Sequence, residues 1–314
     1  MRRARGVALI LALIVVAIAT VIATRIGAEG ALDQRRGATL LAQEQAFQVA
    51  LGAEAWAIEV LYQSQQQSPH DSLDQPWATP LPPLPIDGGS IEGRIEDMSG
   101  RFNINNLVKQ DGSKNPLAFA QFQRLLASLE LEPKWASLLV DWIDTDTVAD
   151  GVDGAEDGVY TGFTPPYRTA NRPVTSTSEL LALPGFGSER YRRLQPYLAA
   201  LPVNSSINTC TASGLVLDSL LPAGTLFSQD PKQLASNREK GCFPQRADLE
   251  NALSSGTLTA QQRQQIGFGL SQRSKWFRVT TIVSIGTTEL TLYSLLERNP
   301  GGYSRVVLRT LGTE

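Results

Sequence analysis

Hydrophobic and polar positions divide the chain into three regimes. From Val7 to Thr24, 18 residues run apolar, interrupted only by Thr20 and Thr24. As a helix this run spans roughly 27 Å, about the thickness of a bilayer core. Beyond it Ala, Leu, Gln and Glu dominate, and no proline occurs before Pro69; these are good helix formers. Leu40, Phe47, Leu51, Ala55, Ile58 and Tyr62 recur at spacings of three, four and seven, which predicts one apolar face. The expectation is a single helix from about Val7 to Gln65, on the order of 90 Å long, half in lipid and half against a soluble body.

The second regime is mixed. After a Pro- and Gln-rich loop, Ile91, Gly93, Ile95 and Asp97 alternate with Glu92, Arg94 and Glu96, a strand pattern, and "SGRF" is placed to turn the chain toward a second strand. Asn115 to Ile143 reads as helical, with Leu117, Phe119, Phe122, Leu125 and Leu126 apolar and Pro133 near the start of a second helix. "STSELLALPGFGSERYRRLQPYLAALP" reads as helix, turn, helix, and a further helical piece follows "VNSSINTCTASGLVLDSLLP". The third regime is β-rich: "KWFRVTTIVSIG", "TELTLYSLLERN" and "GYSRVVLRTLG", joined by "GTT" and "NPGG", predict an antiparallel meander.

Composition narrows what such a chain does. The formal charge is −3 and the pI about 5.4, so bulk charge gives no sign of a nucleic-acid binder. His70 is the only histidine and sits in the Pro-rich loop, which removes Ser-His-Asp and Cys-His catalysis and His-based zinc sites. No nucleophile–base set or phosphate loop is visible, and the chain is read as non-enzymatic. Cys210 and Cys242 lack metal-type spacing. In an exported protein they read as one disulfide; the alternative is two buried thiols.

The leader carries Arg2, Arg3 and Arg5 ahead of Gly6. The arginines hold the N-terminus in the cytoplasm and export the rest, giving a single-pass membrane protein with an exported body. A cleaved signal peptide, with "GAEGA" as its processing site, and a plain uncleaved anchor are two readings. The third is a prepilin leader, cut after Gly6 so that the helix is kept. Gly6, the apolar run and the long amphipathic extension resemble the type IV pilin and pseudopilin superfamily. That resemblance implies cleavage by a prepilin peptidase and methylation of Val7. The fifth residue after the cut, usually Glu in the family, is Leu11 here. A carboxylate in lipid is expensive unless paired, and a subunit without one suits a filament tip, where no other subunit sits above it.

"DWIDTDTVADGVDGAED", Asp141 to Asp157, holds seven acids and no Lys or Arg. Like charges this dense repel unless solvated or bridged by a cation, and oxygen ligands in a Gly-bearing loop suit Ca²⁺. The spacing is not that of an EF-hand.

Together, "SGRFNINNL", "DWIDTD", "GAEDGVY", "PPYRTANRPVTSTSELLALPGF" and "INTCTAS" resemble the K minor pseudopilin family of bacterial type II secretion systems, in order from the leader to about residue 213. The resemblance implies an α+β pseudopilin fold, a long N-terminal helix packed on an antiparallel sheet, with a large α-helical insertion. It implies Ca²⁺ at the acidic loop; the candidate ligands are Asp144, Asp146, Glu156, Asp157 and Asn171, with Asp141 and Asp153 behind them. It implies the I and J minor pseudopilins as partners and a role at the tip of the pseudopilus. The expected organisation is a leader (1–6), a transmembrane stretch (7–24), a periplasmic helix with the Pro-rich loop and first strands (25–110), the insertion (111–202), and a second helical part with the C-terminal sheet (203–314). The rival reading is a membrane-anchored helix-hairpin-helix module binding nucleic acid through "LPGFGSERYRRL"; the bland reading of that hairpin is helix packing.

Overall fold

The computed structural model describes residues 4–221, 241–243, 259–261, 264 and 269–312. Arg2 and Arg3 of the leader lie outside the described residues. One helix, α1 (Ala4–Gln67), carries the whole N-terminal pattern. From Val7 to Gln45 none of its side chains is buried, so this part stands clear of the head.

The head begins with an antiparallel pair, β1 (Leu81–Ile86) and β2 (Gly89–Asp97). The stretch read as a Pro-rich loop thus contains a strand. Its prolines are tolerated because β1 is an edge, with β2 as its only neighbour among the described residues. The second strand expected after "SGRF" shrinks to β3 (Phe102–Asn103). There the chain leaves the sheet for the helical insertion: α2 (Pro116–Ser128), α3 (Lys134–Ile143), the short α4 (Asp157–Tyr160) and α5 (Gly187–Leu194). The first half of the expected hairpin is a 3-10 helix, Thr177–Ala182, closed by a capping box between Ser176 and Glu179. The chain returns through β4 (Leu198–Ala199), which pairs parallel with β3, and continues through β5 (Ile207–Asn208) and α6 (Gly214–Ser219). β6 (Leu270–Ser271) pairs with β5.

The C-terminal meander forms as its sequence predicts: β7 (Trp276–Ile285), β8 (Thr288–Arg298) and β9 (Ser304–Leu311). Gly286, at φ +57°, opens the two-residue turn between β7 and β8, a conformation that favours glycine. β2 pairs with β7 over its full length, giving one five-stranded antiparallel sheet in the order β1-β2-β7-β8-β9.

Asparagines in "FNINN" close the insertion on itself. Asn105 donates to the carbonyls of Val174 and Leu201 and accepts from Val174 N–H. Asn103 accepts from Leu201 N–H and donates to Pro202 O, and Asn106 donates to Ser205 O. These amides satisfy buried backbone groups where the chain leaves and re-enters the core.

The lower half of α1 packs across β7 and β8. The buried positions are Ala46, Ala50, Glu54, Ala57, Leu61 and Ser64. This corrects the face expected from the larger side chains: Leu40 and Ala55 are exposed, and Phe47, Leu51, Ile58 and Tyr62 are half-buried. Alanines form the seam because they let the helix backbone approach the sheet closely, against Val283 and Leu292 at one end. At the other end Leu61 and Trp77 meet Phe277, Val279 and Leu296. Glu54 sits within the seam. Burial opposes its ionisation, but hydrogen bonds from Arg309 (2.8 and 2.9 Å) and Ser294, with the Arg309 charge, outweigh it and hold the carboxyl below its usual range. Ala50→Leu is expected to destabilise the head by about 1–3 kcal/mol through overpacking; a denaturant melt of the full chain that shifts by much less would show the seam to be loose.

Candidate cation site

The acidic loop is built on the end of α3. Asp141 lies in its last turn and Asp144 is its C-cap. Asp141 is fully buried and accepts the N–H of Asp150 at 2.9 Å, folding the loop back over the helix end. A side chain at Gly154 would run into Asp141 Oδ2 and the backbone of residues 149 and 150, so the return crossing needs glycine. On that return, Glu156 comes back over Asp144. One carboxylate oxygen from each of Asp144, Asp146 and Glu156 lies within 4.8 Å of the other two. Oxygens that far apart can share one ion at the 2.3–2.6 Å distances typical of Ca²⁺.

Burial and mutual repulsion act on the protons here. Burial, then the charges of Asp146, Asp141, Glu156 and Asp150, push Asp144 up to about 7. Burial, then Asp141, Asp146 and Asp157, push Glu156 to about 7. Asp141 rises to about 6, chiefly through burial, against the hydrogen bonds it accepts from the backbone. Asp144 Oδ1, Glu156 Oε1 and Asn171 Oδ1 are buried and have no hydrogen-bond partner among the described residues. Unsatisfied buried oxygens cost about 1–3 kcal/mol each, and more when charged. The donor set and its orphaned oxygens therefore fit a hard divalent cation.

Asn171 is held at the same helix end: its N–H bonds Trp142 O at 3.0 Å, in a left-handed conformation (φ +46°) that asparagine tolerates. Asp157 lies outside that group of three carboxylates. It accepts the N–H and hydroxyl of Thr169 at 3.0 and 2.9 Å and lies 3.7 Å from Arg168, fastening the following loop. Asp153 is exposed on the loop. Asp150, not among the expected ligands, pairs with Lys114 at 2.7 Å; a lysine so far away in sequence carries no local signal. "YTGFTPPY" supplies an aromatic floor, with Tyr160 packed 5.2 Å from Trp142 and 5.4 Å from Tyr167 between ring centroids.

Cys210 and Cys242 form a disulfide. The "LPGFG" hairpin serves packing. Leu183 and Phe186 are buried in the insertion core, and Phe186 meets Trp135 edge-on at 5.1 Å. Its arginines are engaged within the chain: Arg190 donates to Phe186 O at 2.9 Å, Arg192 to Ser188 O at 3.4 Å and Arg193 to Leu129 O at 2.6 Å.

Comparison with known proteins locates this architecture. Residues 100–203 match the family described as type II secretion system (T2SS), protein K. A type II secretion system protein K from Pseudomonas aeruginosa is 36% identical over 99% of this chain and 94% of its own length. The protein K of Aeromonas hydrophila is 32% identical over 99% of this chain and 97% of its own. The fold matches a chain in the crystal structure of the GspK-GspI-GspJ complex from the enterotoxigenic Escherichia coli type 2 secretion system. The TM-score is 0.79 at 24% identity, over 89% of this chain and 100% of that one.

Proposed function

The chain belongs to the type II secretion system protein K family, the minor pseudopilins of that pathway, and from that premise we propose that it caps the tip of the pseudopilus, held in the inner membrane by α1 with its head in the periplasm. The observation that carries this reading is the shape of the chain. A long helix with an apolar, unburied N-terminal half is joined to a head enlarged by the insertion between β2 and β7. A head of that bulk is hard to stack within a filament of slender subunits but easy to place on its end. Leu11 in place of an acid fits a subunit that has no neighbour above it.

Its role is mechanical rather than catalytic. Growth of the filament from below drives the tip toward the outer membrane and helps export folded proteins. The partners are the I and J minor pseudopilins, in keeping with the complex that the structurally similar E. coli chain forms. Asp144, Asp146 and Glu156, with Asn171, hold Ca²⁺. When bound, the ion neutralises the charge trapped at the end of α3 and locks the acidic loop.

A prepilin peptidase cuts after Gly6 and the new N-terminus at Val7 is methylated. The intact mass of the membrane-extracted protein should therefore lack residues 1–6 and carry one extra methyl group. An N-terminus at Met1, or at Ala31 after a signal-peptidase cut, contradicts the anchor on which the proposal stands.

A further inference from the structure

A cleft of about 510 Å³ with a mixed polar and apolar lining opens where the end of α1, the return from the insertion at 202–206 and the β8–β9 turn converge. Gln65 of α1 lines it, so it lies at the end of that helix opposite the lipid-facing run. Its cationic groups are Arg273, Lys275 and Arg298, and no Asp or Glu lines it among the described residues. Arg298 is 5% exposed. Its Nη1 holds buried Asp71 at 2.8 Å, and its Nε has no hydrogen-bond partner among the described residues. Lys275 pairs with Glu297 at 2.8 Å, but Glu297 is shared with Arg305 at 2.6 Å, so positive charge remains in excess. Arg273 is exposed and donates to Ser68 O at 3.2 Å. Serine hydroxyls and the amides of Asn204 and Asn299 add hydrogen-bonding groups, and Pro202, Val203, Trp276 and Pro300 supply apolar surface between them.

We infer that this cleft binds an extended acidic peptide segment of a protein that meets the membrane-distal end of the head. One carboxylate of the segment lies toward the Arg298 guanidinium and a second sits between Arg273 and Lys275 at the rim. The cleft volume accommodates a few residues, within the usual range of ligand sites. Charge complementarity selects the acidic sequence, and the serines and amides meet its backbone. The inference goes beyond the filament-tip reading and does not depend on the calcium site.

The test is fluorescence anisotropy of a labelled hexapeptide, Gly-Asp-Ser-Glu-Gly-Asp, titrated with the full-length protein in nonionic detergent. The control peptide carries Asn and Gln in place of its acids. The acidic peptide should bind saturably, at least tenfold more tightly than the control, and binding should weaken about tenfold as NaCl rises from 50 to 500 mM. Arg273→Gln with Lys275→Gln, both at exposed positions, should weaken it at least fivefold without moving the melting curve. Arg298→Lys keeps the charge beside Asp71 and removes the Nε–H, and should also weaken binding; if that variant unfolds, the rim pair decides. Absence of saturable binding, equal binding of the neutral peptide, or unchanged binding by the rim variant overturns the inference. Displacement by an equal concentration of inorganic phosphate would reassign the cleft to a simple anion. None of these failures alters the N-terminal mass or recovery with I and J, so they are distinguishable from failure of the tip reading.

Discussion

Chelation of Ca²⁺ from the full-length protein in detergent is expected to lower its melting temperature by about 10 °C at pH 8. An ion at about a thousand times its dissociation constant contributes about 4 kcal/mol to a folded state that alone binds it, and for a domain of this size each kcal/mol is about 2–4 °C. The pH dependence follows from the carboxyls. Without an ion, Asp144 and Glu156 have folded-state pKa values raised to about 7. Their contribution to stability is fully present below the ordinary carboxylate range and is lost as pH rises through about 7. The ion-free protein is therefore more stable at pH 5 than at pH 8, and the effect of the chelator shrinks toward pH 5. Asp144→Asn with Glu156→Gln should make the melting curve indifferent to both Ca²⁺ and chelator. It should also leave the head more stable than the chelated native protein at pH 8, because the trapped charge is gone. A wild-type curve unmoved by the chelator at pH 8 would remove the ion from the account.

The second large effect is expected far from the acidic loop. Asp71 and Arg298 form an ion pair at 2.8 Å with side chains 1% and 4% exposed. Ser274 N–H also bonds Asp71 at 2.8 Å, and the Arg298 guanidinium lies 4.5 Å over the Phe277 ring. Next to it, Asp97 accepts from Ser99 N–H, Asn208, Thr211 and Ser274. Burial nevertheless raises the Asp97 carboxyl above its usual range. The network joins the end of α1, the end of β2, the "INTCTAS" segment and the end of β8. Arg298→Met strands a buried carboxylate and should destabilise the head by about 3–5 kcal/mol. Asp71→Leu combined with Arg298→Met should recover most of that loss, since an apolar pair of similar volume has no charge to desolvate. Urea melts of the two single variants and the double variant measure this. A single-variant loss below about 1 kcal/mol, or strictly additive losses, would mean that water reaches the pair.

What could be read from the sequence was what local pattern encodes. The 3.6-residue and two-residue periods announced α1 and the β7–β8–β9 meander, and the density of acids announced the loop at the end of α3. The buried face of α1 was misread because the pattern weights large side chains, whereas the seam against β7 and β8 is made by Ala46, Ala50 and Ala57. β1 was hidden because its prolines suit an edge, and being an edge is a property of the sheet, not of the segment. Asp71, Asp97 and Arg298 gave no signal because their partners are distant, with Asp71 and Arg298 separated by 227 positions. Within the acidic loop, spacing did not separate oxygens left unsatisfied, as on Asp144, Glu156 and Asn171, from those spent on the chain, as on Asp157 with Thr169.

The most direct measurement is the native mass of the assembly recovered when the full-length chain is co-expressed with the I and J minor pseudopilins and extracted in mild detergent. The account predicts a discrete complex with a single copy of this chain beside its partners, because the insertion-bearing head ends the stack. Recovery of the chain alone, or of assemblies holding several copies in succession, would contradict it.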